Sequence, residues 1–398
     1  MPEPRAKARG SASESIRSHQ MRILHVTYSL AADQGGPTMV TTRVAAAQAG
    51  LGHDVTILTR QSATKETPLP EIAGADKVRI ERIPAQGTLA KIRGTDCREM
   101  LRSLVAAHDV VHVHNIWDPI LIHAVNESRR QKKPTVLSPH GILTRWALSE
   151  KAFKKSIAMN LAYGRAIHRF DRVHALSRFE EEEMRVFGWT KPIGIVPNGV
   201  FLSEIDPLPA PGAFRAKHPE LGNDPFILFL SRLHPIKGLP ILVDAFQKVL
   251  ARVPSARLVI TGPDFGMQKP IEEQIARLGI ADRVHLTGPI FSKDKYAAMV
   301  DSSCFCLPSG HEAFSVAIAE AMAARSPVVI SEECHFPEAQ DAGAGFVVQR
   351  TVDGVADGLL KIMGDPAKGR AMGEAGRRLI EEKFTWEAVA RALIKMYQ

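Results

Sequence analysis

The stretch Cys306–Ala323, CLPSGHEAFSVAIAEAMA, decides how this chain is read. The apolar run Ser303 to Leu307 predicts a buried parallel strand that ends at Pro308. Ser309-Gly310-His311-Glu312 reads as a polar turn, and Ala313 to Ala324 as a helix of small and apolar residues. Glu312 and Glu320 stand in the pattern E-x7-E. The spacing is a little over two helical turns, so an unbroken pitch would set both carboxylates roughly on one face. At the helix start, the backbone N–H groups of Ala313, Phe314, Ser315 and Val316 lie beside a positive dipole end, which suits a diphosphate. One Glu would then reach a sugar's hydroxyls and the other a ribose. Two solvated Glu on an amphipathic helix give the same isolated pattern, so the rest of the chain has to decide.

The chain has 398 residues, enough for two domains with full cores. Hydrophobic and charged fractions of 45% and 24% are those of an ordinary globular protein. The formal net charge of +8 suits anionic substrates, a membrane surface or nucleic acid. No nucleic-acid-binding motif accompanies it, which argues against the last. Cys97, Cys304, Cys306 and Cys334 show no C-x-x-C spacing and do not form a disulfide framework, so a cytoplasmic setting is expected. No run is apolar enough to span a bilayer, and residues 1–20 read as a disordered tail without the apolar core of a secretion signal.

Strand and helix patterns alternate twice along the chain. Arg22 to Tyr28, Val55 to Thr59, Val78 to Ile83, Asp109 to His114, Pro134 to Ser138, Arg172 to Leu176 and Ile193 to Val196 read as strands of a first unit, residues 21–200. Residues 201–223, rich in Pro and charge, read as a linker region. Phe226 to Leu230, Arg257 to Gly262, Val284 to Gly288, Ser303 to Leu307, Pro327 to Ser331 and Gly345 to Val348 read as strands of a second unit, residues 224–383. Residues 384–398 read as an amphipathic helix. The expected fold class is α/β, with two Rossmann-like doubly wound domains facing across a cleft.

Several loops carry polar groups suited to a ligand. Gly35-Gly36-Pro37 after the first strand lets backbone N–H groups approach an anion, with Thr38 as a helix cap. Alternation sets His112 and His114 on one side of their strand. They could bind a metal, although no third ligand is evident from the sequence. At the strand's C-terminal end, His114, Asn115 and Trp117 are expected to line an acceptor pocket. Ser177 caps a helix with Glu180 at the capping-box position. Residues 146–169 have apolar residues near helical spacing and a cationic excess from Lys151, Lys154, Lys155, Arg165 and Arg169. That segment is either a solvated helix face or a docking surface for anionic lipid at the inner face of the cytoplasmic membrane.

With these residues in place, the chain resembles glycosyltransferase family 4, the retaining group 1 glycosyltransferases of the GT-B fold, and within it the polysaccharide-assembly enzymes. The resemblance runs from Met21 to the C-terminus. It rests on E-x7-E, on Arg232-x4-Lys237-Gly238 after a strand, on Pro139-His140-Gly141, on Pro197-Asn198-Gly199-Val200 and on the Gly35-Gly36 loop. It implies that Arg232 and Lys237 grip the donor diphosphate, that Glu312 holds the donor sugar and Glu320 the ribose, and that Pro289 and Ile290 contact the base. Gly35 and Gly36 would close against the phosphates and the acceptor, His140 would orient the sugar near its reacting carbon, and residues 384–398 would cross back to the first domain.

Because no D-x-D occurs, Arg232 and Lys237 are expected to do the work of a metal ion, and no metal or other cofactor is expected. The expected function is transfer of a sugar from a nucleoside-diphosphate donor, UDP before GDP or ADP, to a hydroxyl of a glycan or polyprenyl-linked glycan in bacterial polysaccharide synthesis. Loss of Glu312 or Arg232 is expected to cost turnover far more than stability. The alternatives are a nucleotide-sugar epimerase, phosphorylase or hydrolase on the same fold, and a non-catalytic sugar-nucleotide-binding protein. A dinucleotide oxidoreductase fits poorly, because G-x-G-x-x-G is missing after the first strand and Thr59-Arg60 stands where an acid would end the second.

Overall fold

The computed structural model describes residues 20–31, 36–149 and 152–398. The first nineteen residues, Gly35 and Lys151 lie outside them. Seven strands form the first sheet: β1 (Arg22–Val26), β2 (Asp54–Arg60), β3 (Arg79–Ile83), β4 (Val110–His114), β5 (Thr135–Ser138), β6 (Arg172–Ala175) and β7 (Ile193–Ile195). Six form the second: β8 (Phe226–Leu230), β9 (Arg257–Thr261), β10 (Val284–Gly288), β11 (Cys304–Leu307), β12 (Val328–Ser331) and β13 (Gly345–Val348). Every pairing is parallel. The orders are β3-β2-β1-β4-β5-β6-β7 and β10-β9-β8-β11-β12-β13.

This is the doubly wound pair of α/β domains that the alternating pattern predicts. Helices cover both faces of each sheet, so β8 and β11 at the centre of the second are apolar throughout, with Cys304, Phe305, Cys306 and Leu307 all buried, whereas β1 and β4 at the centre of the first also bury His25, His112 and His114. In each sheet the strand order reverses once, between β1 and β4 and between β8 and β11. Crevices at the C-terminal ends of strands flanking such a reversal are where open α/β sheets bind ligands.

Several boundaries differ from expectation for physical reasons. Ile205, Phe214 and Leu221 are buried in the core of the second domain, so the stretch read as a linker packs as part of that domain. The chain crosses between domains at Val200, whose N–H donates to Phe384 O at 2.9 Å while Trp386 N–H donates to Val200 O at 3.1 Å. The final helix, Trp386–Tyr397, buries Trp386, Val389, Leu393 and Tyr397 among first-domain residues such as Ile23 and Val44. Thr38 lies inside the helix Gly36–Gly50 rather than capping it, with its hydroxyl 3.2 Å from that of Thr67. Residues 145–167 are a succession of short segments, Arg145–Ser149, Ala152–Ala158, a π-helical turn Met159–Tyr163 and Gly164–Ile167.

The helix after β11 runs only from Val316 to Ala323. Gly310 N–H is committed to Ile236 O at 2.6 Å and Glu312 N–H to Glu333 O at 3.0 Å, which keeps residues 309–315 out of the helical ladder. Glu312 therefore stands in a loop and Glu320 on the helix, and the single-face reading of their spacing does not apply.

The loops after β8 and β11 are packed backbone to backbone. Gly238 has φ +71°, and a Cβ there would sit 1.8 Å from Pro308 O. Gly238→Ala is therefore expected to destabilise the protein by about 2–4 kcal/mol, from the left-handed backbone and the forced separation of the loops. Urea unfolding would measure it, and an unchanged midpoint would contradict this account of the loop contact.

Candidate active site

At the reversal of the second sheet, the loop after β8 makes a single 3₁₀ turn, Pro235–Lys237, capped by His234 Nδ1, which accepts from Ile236 N–H at 3.2 Å. That turn aims Lys237 at the neighbouring loop. Lys237 Nζ donates to Glu312 Oε1 at 2.5 Å, with both side chains only 10% exposed. Glu312 accepts one of the three ammonium N–H groups, leaving donors for a ligand. Arg232 is exposed, with its guanidinium carbon 5.3 Å from the ring centre of Phe265. Glu320 is engaged by Lys295, Nζ to Oε1 at 2.7 Å. Pro289 and Ile290 follow β10, whose last residue, Gly288, accepts from Gly262 N–H and Thr261 Oγ1. Ser315 makes no side-chain cap on the helix it precedes, so the first turn keeps its backbone donors for another partner.

The first domain meets this site through the turn after β5. His140 and Gly141 both have positive φ, +55° and +77°, and a Cβ on Gly141 would lie 2.6 Å from Ala313 Cβ. His140 and the Glu312-Ala313 loop are thus brought together across the domain boundary. Around the contact, Trp146 packs on His311 with ring centres 5.0 Å apart, and Phe179 stacks on His335 at 3.7 Å. The strained turn is held from the helix Arg178–Val186. Glu180 accepts Gly141 N–H at 2.5 Å and Leu176 N–H at 2.7 Å, so its reach goes beyond the local capping box. Burial pushes its carboxyl up to about 7. One turn on, Glu183 accepts Arg145 N–H at 2.6 Å.

Of the expected acceptor residues, His114 is buried behind His140 rather than lining a pocket. Its Nδ1 is 3.0 Å from His140 Nε2 and its Nε2 is 2.9 Å from His25 Nδ1. Asn115 is buried in a left-handed conformation, φ +66°. Trp117 is half-buried edge-on to Tyr163, with Lys155 over its ring. Gly36 opens its helix in open space. The third histidine not evident from the sequence is His25: its nitrogens and those of His112 and His114 lie close enough to share a metal ion. Each of those nitrogens is already in a hydrogen bond within the protein, His112 to Ser138 Oγ and Tyr397 Oη and His25 to Gln48.

Sequence reading does not single out Lys295, Phe265, Glu183 or His25, nor the hold that Glu180 has on Gly141. Glu180 carried a signal, being a Glu in the first turn after a capping Ser. The others act through contacts more than 20 residues away in sequence and carry no local pattern.

Two predictions follow from these contacts. Removing one partner of a buried pair strands the other charge, typically at about 3–5 kcal/mol. Glu312→Gln is therefore expected to lower stability as well as turnover, a larger stability cost than the sequence alone suggests; an unchanged unfolding midpoint would contradict it.

The second concerns pH. Burial holds His25 and His174 down at about 4 and His140 at about 3, and keeps His112 and His114 well below their ordinary value. Below pH 6.5 the unfolded chain takes up protons that these five folded rings refuse, each worth about 1.4 kcal/mol per pH unit. Glu180 works the other way and offsets about one of them. Stability should be highest near neutrality and fall steeply as pH drops from 6.5 towards 4. A flat urea midpoint from pH 7 to 5 would contradict the buried neutral state.

The family described as "Glycosyl transferases group 1" matches residues 212–379, and "Glycosyl transferase 4-like domain" matches residues 35–199. The chain is 29% identical over 310 residues to the GDP-mannose-dependent alpha-(1-6)-phosphatidylinositol monomannoside mannosyltransferase of Mycobacterium tuberculosis, covering 74% of this chain and 77% of that one. It is 27% identical over 392 residues to the D-inositol 3-phosphate glycosyltransferase of Nocardia farcinica, covering 92% and 85%. Among solved structures, Anabaena HepE in complex with UDP and glucose superposes with a TM-score of 0.74 at 20% identity, over 95% of this chain and 99% of that one. The two matched families, end to end over two facing doubly wound domains, make this chain a member of the group 1 glycosyltransferases of the GT-B fold.

Proposed function

We propose that the protein transfers a hexosyl unit from a nucleoside-diphosphate sugar to a hydroxyl of a lipid-borne or glycan acceptor, with retention of anomeric configuration. The observation that carries this reading is the meeting of Lys237 and Glu312, at one sheet reversal, with the His140-Gly141 turn of the other domain. Lys237 and Arg232 are the cations for a diphosphate, beside the backbone donors of residues 313–316. Glu312 orients Lys237 and offers its second oxygen to a sugar hydroxyl. Glu320, fixed by Lys295, faces the ribose, and Pro289 and Ile290 the base. The acceptor oxygen bonds to the anomeric carbon as the bond to the phosphate oxygen breaks, and that leaving oxygen takes the acceptor's proton. Fixed cations stabilise the charge that develops there, which is worth roughly 2.7–4 kcal/mol per group.

GDP now stands before UDP as the donor nucleotide, on the name of the mycobacterial relative; the HepE complex, at 20% identity, speaks only to fold. An α-donor should give an α-linked product, and Arg232→Ala should lower turnover about 10²–10³-fold. A β-linked product would overturn the front-face reading. Full activity of the variant would remove Arg232 from the phosphate site.

Contact with a membrane fits the segment after Arg145. Phe153, Ile157 and Leu161 recur every fourth residue and are exposed, Phe153 by 79% and Leu161 by 75%, with Lys154 and Lys155 beside them. No helix among the described residues is long and apolar enough to cross a membrane, so attachment here would be by an interfacial face. Replacing Phe153 and Leu161 by Ser should weaken sedimentation with anionic vesicles at least about tenfold, since each loses the burial of a large apolar side chain. Equal binding by wild type and variant would place the acceptor contact elsewhere.

A further inference from the structure

A path of hydrogen bonds, buried except at its last link, runs through the first domain from the strand end just before the domain crossing to the active-site turn. It starts at the carbonyl of Val196, which accepts from His174 Nε2 at 2.7 Å. His174 Nδ1 lies 2.6 Å from Ser138 Oγ, and Ser138 Oγ lies 2.6 Å from His112 Nε2. His112 Nδ1 meets Tyr397 Oη at 2.6 Å, and Tyr397 Oη takes Gln48 Nε2 at 3.0 Å. Gln48 Oε1 meets His25 Nε2 at 2.7 Å, His25 Nδ1 meets His114 Nε2 at 2.9 Å, and His114 Nδ1 meets His140 Nε2 at 3.0 Å. The path joins four first-domain strands, the helix Gly36–Gly50 and the crossing helix Trp386–Tyr397.

Its polarity follows from the first link. A carbonyl only accepts, so His174 carries its proton on Nε2, and its bare Nδ1 must receive the Ser138 hydroxyl proton. Ser138 then accepts, so His112 is protonated on Nε2 and bare on Nδ1. Tyr397 must donate there and accept from the Gln48 amide nitrogen, which turns the Gln48 oxygen to His25. The same logic makes His25, His114 and His140 carry their protons on Nε2. The path ends at His140 Nδ1, a buried atom that no group among the described residues partners.

We propose that this path is a tautomer relay, set at the domain crossing and passing through Tyr397, that fixes His140 as a hydrogen-bond acceptor for a hydroxyl of the bound sugar. His25, Gln48, His112, Ser138, His174 and Tyr397 are thus positioning residues, remote from the substrate. The sugar hydroxyl as the occupant rests on the transferase reading; the tautomer does not. In a neutral imidazole the unprotonated nitrogen only accepts, so a hydroxyl is taken there as a donor, and an ether or carbonyl oxygen at that place is rejected. Tyr397 lies on the crossing helix, so His140 acquires its defined polarity only once that helix has docked on the first domain.

The test reads the histidine ring nitrogens by ¹⁵N NMR on the ligand-free full chain at neutral pH, in wild type and in Tyr397→Phe. The wild type should show a protonated Nε2 and a bare Nδ1 at His25, His112, His114, His140 and His174. Tyr397→Phe removes the hydroxyl that orients both halves, and His140 should then show a mixture of tautomers. A wild-type His140 protonated on Nδ1 would overturn the proposal. So would a His140 tautomer unchanged in the variant, since the polarity would then be set locally. If Tyr397→Phe does not fold, Ser138→Ala cuts the same path nearer the crossing with a smaller change of volume, and the same two outcomes decide. The measurement uses neither donor nor activity, so a protein that failed to transfer sugar could still show the relay, and one without it could still be a transferase.

Discussion

The buried pair of Lys237 and Glu312 is the constraint on which the site depends. It ties together the two loops that leave the second sheet at its reversal, and it does so where both side chains have lost most of their water. Neither charge is tolerable there alone. The pair joins the 3₁₀ turn before Gly238, which packs on Pro308, to the loop 309–315, whose backbone bonds to Ile236 and Glu333 hold the carboxylate within reach. That loop in turn presents Ala313 to the first domain. A ligand with negative charge would enter a place where one cation is already fixed and desolvated, which is the condition under which electrostatic stabilisation of a leaving group is strong.

The first domain answers with a site of opposite character. It brings little charge to the contact and much hydrogen-bonding order. Burial keeps five imidazoles neutral, Glu180 and Glu183 grip the backbone of residues 141–145, and the strained conformation of His140 is held by those bonds. On the proposed function, the second domain would supply the charges for a diphosphate and the first a shaped wall of neutral rings that also carries the Arg145–Glu183 ion pair. The two are linked at Val200 and Phe384–Trp386, so motion at the crossing bears on both.

Much of the fold was legible in the sequence because parallel strands buried on both faces leave continuous apolar runs with turn residues at their ends. Phe226 to Leu230, Val284 to Gly288 and Gly345 to Val348 match their strands residue for residue. Boundaries failed where tertiary contacts overrode local pattern. Ala313–Ser315 have the composition of a helix, but neighbouring N–H groups are taken by Ile236 and Glu333. Phe214 and Leu221 sit in a stretch rich in Pro and charge, yet fill a core. Of the site, Lys237, Glu312 and His140 were legible as motif residues and are brought close. The partners that orient them were not, because Tyr397 meets Gln48 and Glu180 meets Gly141 only through the fold. His114 shows the limit in reverse: its strand-end position suggested a cleft, and the turn of His140 covers it.

The account stands most directly on the second domain's reversal being a nucleoside-diphosphate site that works through Lys237. Thermal melting in EDTA, with GDP, UDP, ADP and NAD each in turn at about a hundredfold over the dissociation constant, would measure it. A bound ligand then adds roughly 2.7 kcal/mol, a shift of a few degrees for a protein of this size. The account predicts a shift with one nucleoside diphosphate in the absence of metal, and its loss in Lys237→Ala once the variant's own stability is taken as baseline. A shift with NAD alone, or an equal nucleotide shift in the variant, would contradict it.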